Sequence, residues 1–354
     1  MALKTVLTLW LLCSTNRSMT ANGTNSDRPP TWRTRRRQRQ LVAANRLLQI
    51  GVPAAGLLTL LAGFFWIADL LANLRMQLVV AGVVGSAVAL FLKQWKTVAA
   101  HVLMLSIHAS WVVLPPPRAE VTAGLADITV TALNAYIDND QHELIAVCLR
   151  DLSADVIAVT ELSPDLCEYL TVTFADSHPY VAAKPHAGTF GAGIFSKYPL
   201  LDIDIIGAET TGRSLLATVR KHDQNYRVAA VHPYSPMTPG HFELRNQHLD
   251  ALSRAIQTGH ERQPETPFIV TGDFNSTPWS PRFSAFQRAS GLRHVAEGSG
   301  VVPTWYAFGL PVFPVGLVLD HCMVSPQLSY VSYGIGPSVD SDHLPLTVGL
   351  SLKP

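Results

Sequence analysis

Three stretches near the front of the chain, Leu47–Leu71, Leu78–Leu92 and Val98–Leu114, are apolar almost without interruption. Crossing a hydrocarbon core of about 30 Å at about 1.5 Å per helical residue takes roughly 20 residues, so these runs predict three transmembrane helices. The middle run is short, and Gln77 and Lys93 would extend it. A soluble helical hairpin is the competing reading, but its helices need polar faces, and Ala81 to Leu90 has almost none. Gly82, Gly85, Ser86 and Ala89 stand near helical spacing and would let helices pack closely. Asp69, His101 and His108 are polar at membrane depth, which fits a proton or ion path, interfacial placement or hydrogen bonding between helices.

After the third run the pattern changes. Asp127 to Leu133 alternates apolar and polar positions and ends at Asn134, and Leu144, Ile145, Cys148, Leu149 and Leu152 fall on one helical face. Asp155 to Thr160 is a buried strand ending at Glu161, with a helix starting after Ser163-Pro164. Strands are then expected at Tyr180 to Ala183, Gly191 to Ser196, Leu200 to Ile206, Ser214 to Arg220 and Tyr226 to Val231, the last ending at His232. A helix over His241 to Gln257 precedes the strand Phe268-Ile269-Val270-Thr271, which turns at Gly272 into Asp273-Phe274-Asn275. A helix near Pro281 to Ala289 and strands at Leu317 to Val324 and Leu344 to Leu350 complete the series. Mixed pairing with helices outside predicts an α/β domain of two packed sheets.

Charge orients the chain. Arg33, Arg35, Arg36, Arg37 and Arg39 precede the first run, and Lys93 and Lys96 join the second to the third. Basic segments stay cytoplasmic, so three spans would deliver the folded domain to the other side of a cell membrane, as a multi-pass protein with an extracytoplasmic domain. The expected organisation is a disordered basic segment over 1–40, a membrane domain over 41–117 and the folded domain over 118–354, with Pro115-Pro116-Pro117 as a stiff spacer. Residues 1–15 read either as a signal-peptide apolar region or as an extension from an upstream start codon. The formal net charge of +1 over 354 residues argues against a broad nucleic-acid-coating surface, though a local basic groove would not show in the sum. Cys13, Cys148, Cys167 and Cys322 are too few and too scattered for a disulfide framework or zinc site, and Cys322 reads as a small core residue.

The polar residues with chemistry fall at strand ends. Asn134, Glu161, His232, Asp273, Asn275, Asp320, Asp342 and His343 all stand at or beside the end of an apolar run. Each alone has a plain explanation as a helix cap, a turn acceptor or a strand terminus. Together they mark the rim where a rigid sheet carries catalytic loops. The Asp273/Asn275 pair, two residues apart and pointing one way, can hold a water or a metal-bound phosphate between acceptor and donor.

The order Leu133-Asn134, Val159-Thr160-Glu161, Gly193 to Pro199, Val231-His232, Gly272-Asp273-Phe274-Asn275, Leu319-Asp320-His321 and Ser341-Asp342-His343-Leu344-Pro345 resembles the endonuclease/exonuclease/phosphatase superfamily. That resemblance implies a four-layer α/β sandwich and a hydrolase acting on phosphate ester bonds with Mg²⁺ or Mn²⁺. It implies Glu161 as the principal metal ligand with Asn134 beside it, Asp273 as the group that orients or deprotonates the attacking water, and Asn275 as a donor to the phosphate. His343 would bond a phosphoryl oxygen, its tautomer fixed by Asp342 or Asp320, and His232 would be a second phosphate contact or proton donor. The second polar residue often found two positions after the family's leading Asn is Tyr136 here. Nucleic acid, a nucleotide or a phospholipid headgroup would each suit as phosphate ester substrate, and no protein partner is inferred. Discrimination would lie in loops such as Pro233 to Gly240 and Gly298 to Pro314, whose Trp305, Tyr306, Phe308 and Phe313 either stack on bases, dip into a bilayer or close the core. The alternative is a catalytically silent, membrane-tethered binding or scaffold module on the same fold. If the site is real, its strand ends converge to within on the order of 10 Å.

Overall fold

The computed structural model describes residues 32–113, 118–207, 214–296, 302–306 and 316–353. The described residues divide into two units after Leu47. Within the second unit, one six-stranded sheet has the order β13-β14-β1-β2-β4-β3. Its strands are β1 (Ile128–Asn134), β2 (Val156–Thr160), β3 (Tyr180–Lys184), β4 (Ala192–Ser196), β13 (Leu328–Ile335) and β14 (Leu346–Leu352). The other runs β5-β6-β7-β8-β12-β9. It is built from β5 (Leu200–Ile206), β6 (Ser214–Lys221), β7 (Gln224–Val231), β8 (Phe268–Asp273), β12 (Asp320–Val324) and β9 (Arg293–Val295). The short strands β10 (Trp305–Tyr306) and β11 (Gly316–Leu317) pair with each other.

The layers follow from which faces are apolar. Val130, Ala158, Ile194, Ala217, Val228, Ile269, Cys322 and Val348 interdigitate between the sheets. The helices α6 (His142–Leu152) and α7 (Pro164–Thr173) cover the outer face of the first sheet with Ile145, Leu149, Leu166 and Leu170 against Leu133, Ile157 and Val159. On the other side α8 (Pro239–Arg262) and α9 (Pro281–Ser290) set Leu249, Leu252, Phe283 and Phe286 against Val231, Val270 and Phe274. This is the expected helix-sheet-sheet-helix sandwich. Helices α7, α8 and α9 each begin with a hydroxyl cap followed by Pro: Ser163-Pro164, Thr238-Pro239 and Ser280-Pro281. The cap oxygen accepts an otherwise orphaned backbone N–H and proline presets the first helical turn. The α8 cap went unread in the sequence, so that helix starts before the expected His241.

Two parallel pairs aim the sandwich. Among the described strands, β1 with β2 and β7 with β8 run parallel, and both pairs end at the same rim. The antiparallel strands β12 and β14 begin there, with Asp320 opposite Asp273 and Leu346 opposite Ala132. The edge strand β5 shifts register between Leu201 and Asp204. The stretch expected as one strand over Leu317 to Val324 is divided between β11 and β12, so that Asp320 opens its own strand. Strand β13 was not anticipated, because a register shift between Tyr330 and Ser332 interrupts its alternation.

The N-terminal third departs most from expectation. Where 1–40 was expected to be disordered, helix α1 (Trp32–Arg46) carries the arginine cluster, and the preceding residues lie outside the described ones, as do Pro115 to Pro117. Of the three expected spans, the described residues contain one helical segment long and apolar enough to cross a membrane, Arg35–Leu61, or two if a bent pair counts as one span. The first expected span is cut because helix α2 (Val52–Leu58) and the tighter turn after it stop before Phe65, which is extended, and a separate helix α3 (Trp66–Asn73) follows. At Leu74 the chain bends by 74° into α4 (Arg75–Phe91). A turn then leads to α5 (Trp95–Val113). Gly82 and Gly85 of α4 face Met104 and His101 of α5 with no room for a Cβ, which is the close approach the small residues predicted. His101 bonds the Leu48 carbonyl through Nε2 at 3.1 Å. Asp69 serves a different end: its carboxylate forms a buried ion pair with Arg245 of α8 at 2.8 Å.

Gly272 has φ +134°, and a Cβ there would collide with the Val231 carbonyl oxygen on the neighbouring parallel strand. Gly272→Ala is expected to destabilise the fold by at least about 2 kcal/mol, checked by denaturant unfolding, from the strained φ and lost strand contact combined.

Candidate active site

Each rim residue is delivered by a strand pairing. Asn134 ends β1 level with Thr160, so Glu161 is the next residue on the neighbouring strand. Val231 lies level with Gly272, which sets His232 beside Asp273. Glu161 and Asn275 both sit in the left-handed region, at φ +53° and +48°. Non-glycine residues adopt it at a cost of about 1–3 kcal/mol, commonly at functional sites, where the turn redirects a side chain off the strand.

The side chains meet at Asp273, which is 2% exposed. Asn134 Nδ2 donates to Glu161 Oε1 at 3.1 Å and to Asp273 Oδ2 at 3.2 Å. His232 Nε2 lies 3.5 Å from Asp273 Oδ2 and 3.6 Å from Glu161 Oε1, and His343 Nε2 lies 3.6 Å from Asp273 Oδ2. The other Asp273 oxygen accepts the Asn275 backbone N–H at 2.7 Å. Glu161 Oε2 accepts the Ile137 N–H at 2.9 Å. The eight expected residues thus occupy one rim, joined directly or through one neighbour.

Of the two carboxylates expected beside His343, Asp320 holds it, its Oδ2 2.7 Å from Nδ1, because β12 opens directly opposite Asp273. Asp342 stands 4.0 Å from His343 Nε2 and instead accepts the Trp305 indole N–H at 2.8 Å. Asn134 Oδ1 accepts the Tyr136 N–H at 3.1 Å, so the amide presents its nitrogen to the carboxylates. Asn275 Nδ2 donates to the Pro233 carbonyl at 3.0 Å.

Burial and charge set the protonation states. Burial by itself disfavours an imidazolium at His343, but Asp320 and then Asp273 outweigh it and push the pKa up to about 10. His232 is likewise buried, and the hydrogen bond and charge of Asp273, then Glu161, raise it. Asp273 is opposed by its burial yet held below the usual carboxylate range by His343 and His232. The rim therefore carries an ionised carboxylate beside the protonated imidazole of His343, with protonation also favoured at His232.

Sequence reasoning missed the supports. Thr304 is fully buried and its Oγ1 accepts the N–H groups of Leu319 and Asp320 at 3.1 and 2.9 Å. Ser341 Oγ donates to the Asn134 carbonyl at 2.8 Å and accepts the His343 N–H at 3.0 Å. Behind the Asp273 turn, His321 Nε2 bonds the Ser276 carbonyl at 2.9 Å and His294 meets its Nδ1 at 3.0 Å. Burial lowers the His321 pKa to about 4, keeping it neutral. The quoted motifs contained His321 and Ser341, but nothing in their spacing marked them as braces. Of the four loop aromatics, Trp305 and Tyr306 are half-buried, while Phe308 and Phe313 lie outside the described residues.

The chain belongs to the Endonuclease/Exonuclease/phosphatase family, which matches residues 132–343 and so takes in every rim residue above. Membership makes it a hydrolase of phosphate ester bonds. In fold it is similar to an endonuclease/exonuclease/phosphatase from Beutenbergia cavernae DSM 12333, with TM-score 0.51 and 20% identity over 64% of this chain and 72% of that one. A humanized D. rerio TDP2 gives 0.51 and 16% over 63% and 98%. An endonuclease/exonuclease/phosphatase from Bacteroides vulgatus gives 0.50 and 19% over 64% and 99%. A comparison with curated protein sequences gives no match.

His343 should remain charged through neutral pH. Its folded pKa lies above the unfolded value of about 6.5, so its stabilising contribution is complete below that pH and is lost as pH rises through about 10. In NMR titrations with EDTA present, the His343 ring should not titrate between pH 6 and 8.5, and Asp320→Asn should bring its midpoint down into that window.

Proposed function

We propose that the chain is a membrane-attached, divalent-metal-dependent phosphoesterase of nuclease or phosphodiesterase type that hydrolyses its substrate by in-line attack of water. The observation that carries this is the convergence of Glu161, Asn134, His232 and His343 on the Asp273 carboxylate. The donor set suits a hard ion. Glu161 Oε1 and Asp273 Oδ2 both lie within 3.6 Å of His232 Nε2 and both accept from Asn134, so carboxylate oxygens face one spot. Among the described residues no group of three or more His, Cys, Asp or Glu side chains is placed to hold a metal ion. The reading rests on the two carboxylates, since Mg²⁺ and Mn²⁺ take one or two and keep several waters.

Glu161 would hold the ion, with Asn134 against it. When bound, the ion neutralises phosphoryl charge and acidifies a water. Asp273 stays ionised at neutral pH and accepts from the attacking water, its direction fixed by the Asn275 N–H. His343 donates Nε2–H to a phosphoryl oxygen as charge builds, while Asp320 holds the opposite nitrogen. His232 anchors Nδ1–H on the Thr189 carbonyl at 2.9 Å and offers Nε2–H as a second donor. Asn275 reaches phosphate only by releasing Pro233. Nucleic acid, a nucleotide or a phospholipid headgroup all carry the required group.

Membrane attachment rests on the Arg35–Leu61 helix, with the arginine cluster at its start. With that helix as the single span, the positive-inside rule puts the phosphoesterase domain outside the cytoplasm, whereas a second span through the bent α3–α4 pair would return it to the cytoplasmic side. A reporter that works only after export, fused after residue 354, should be active; a reporter that works only in the cytoplasm and is active there reverses the orientation.

The chemistry is tested on the full chain with DNA, RNA, nucleotides and phospholipids, in Mg²⁺ and in EDTA. Glu161→Gln should lose activity and recover part of it as Mg²⁺ is raised, since the loss is one of metal affinity. Asp273→Asn should lower kcat by roughly 10²–10⁴-fold with no recovery at high metal. A silent scaffold predicts no EDTA-sensitive hydrolysis of any of these substrates.

A further inference from the structure

The turn that follows Asp273 and Asn275 is gripped by a helix from outside the sandwich. Asn73, the last residue of α3, is 4% exposed. Its Oδ1 accepts the Thr277 backbone N–H at 2.7 Å and the Thr277 hydroxyl at 3.1 Å. Its own carbonyl accepts the Trp279 indole N–H at 3.5 Å, and its Nδ2 donates to the Asp69 carbonyl at 3.0 Å. One helical turn earlier, Asp69 pairs with Arg245 at 2.8 Å and accepts the Ser280 hydroxyl at 3.4 Å. Ser280 also caps α9. From the sandwich side, His321 takes hold of Ser276. Residues 276–280 are therefore fixed from both sides, directly behind the N–H of Asn275 that orients Asp273.

We propose that Asn73 and Asp69 are positioning residues of the phosphoesterase site. They fix the turn at residues 276–280 and, through it, keep the Asn275 N–H on Asp273 Oδ1, so that Oδ2 faces His232, His343 and Asn134. The proposal rests on the phosphoesterase reading above. Simple docking of an apolar helix needs no polar residues, and burying an amide and a carboxylate is costly unless both are fully bonded. Here their bonds fall on three positions of one turn, Thr277, Trp279 and Ser280, which specifies its orientation and not merely its burial. Turnover then depends on a helix that lies some two hundred positions from Asp273 in the chain, by roughly the separation of Asn73 and Thr277.

The test uses the full chain in detergent or membranes, comparing Asn73→Ala with the wild type. Three quantities are read: kcat and KM per folded molecule in Mg²⁺, and hydrogen exchange of the Asn275 amide against those of Ile157 and Val159 in β2. The expected result is a fall in kcat of about tenfold with KM within about twofold, and Asn275 exchange at least about tenfold faster while β2 is unchanged. Thr277→Val keeps the backbone bond and loses the hydroxyl, so it should fold and show a smaller change of the same kind. Unchanged kcat and unchanged Asn275 exchange overturn the proposal, as does an exchange increase shared equally by β2, which marks general loosening. If the wild type hydrolyses no phosphate ester in Mg²⁺, the phosphoesterase reading fails separately, and Asn275 exchange alone decides the positioning role.

Discussion

A carboxylate removed from water is tolerable only among partners, and Asp273 is such a carboxylate. One oxygen takes the Asn275 N–H; the other faces Asn134, His232 and His343. Each partner is itself anchored, His343 on Asp320 and His232 on the Thr189 carbonyl. Removing any one leaves buried charge uncompensated, which in proteins costs about 3–5 kcal/mol when a buried pair is broken. The same arrangement that makes the cluster chemically useful therefore ties it to the integrity of the rim.

Backbone geometry carries that arrangement outward. Parallel pairing places two strand ends side by side at one edge, and the two parallel pairs of this sandwich lie in different sheets. Glu161 and Asn134 come from one sheet, His232, Asp273 and Asp320 from the other, and the site exists where the two layers open. Trp305 adds a crosspiece: it bridges to His343 in the backbone and bonds Asp342 through its indole. Dispersing the partners over both sheets means that a shift of one layer against the other would be felt first at Asp273.

Much of this was legible in the sequence because strand ends are legible. Runs such as Val156 to Thr160 and Phe268 to Thr271 are apolar on both faces, as strands covered on both sides must be, and the polar residue that stops each run is a rim residue. Pairing is a three-dimensional matter, so the choice of Asp320 over Asp342 as the His343 partner was not readable: Asp320 opens β12 and Asp342 stands just before β14, and register decides. Hydropathy misled at α3, where Trp66 to Leu71 is apolar enough to pass for membrane. Its Asp69 and Asn73 fall four positions apart on one face, and their partners Arg245, Thr277 and Ser280 lie far along the chain. Helical periodicity shows that two polar residues share a face, but not what that face meets.

The register shift in β5 bears on the behaviour of the whole molecule at high concentration. Strand β5 is the last in its sheet, and a flat edge there would offer its free backbone groups to a neighbouring molecule. Between Leu201 and Asp204 the ladder is broken, Asp202 turns to φ +46°, and two carboxylates stand exposed along the strand. Kinked and negatively charged, that edge is a poor template for another strand. Protection from self-association is thus built into the side of the sandwich remote in the strand order from β9, at the place where the pairing would otherwise continue.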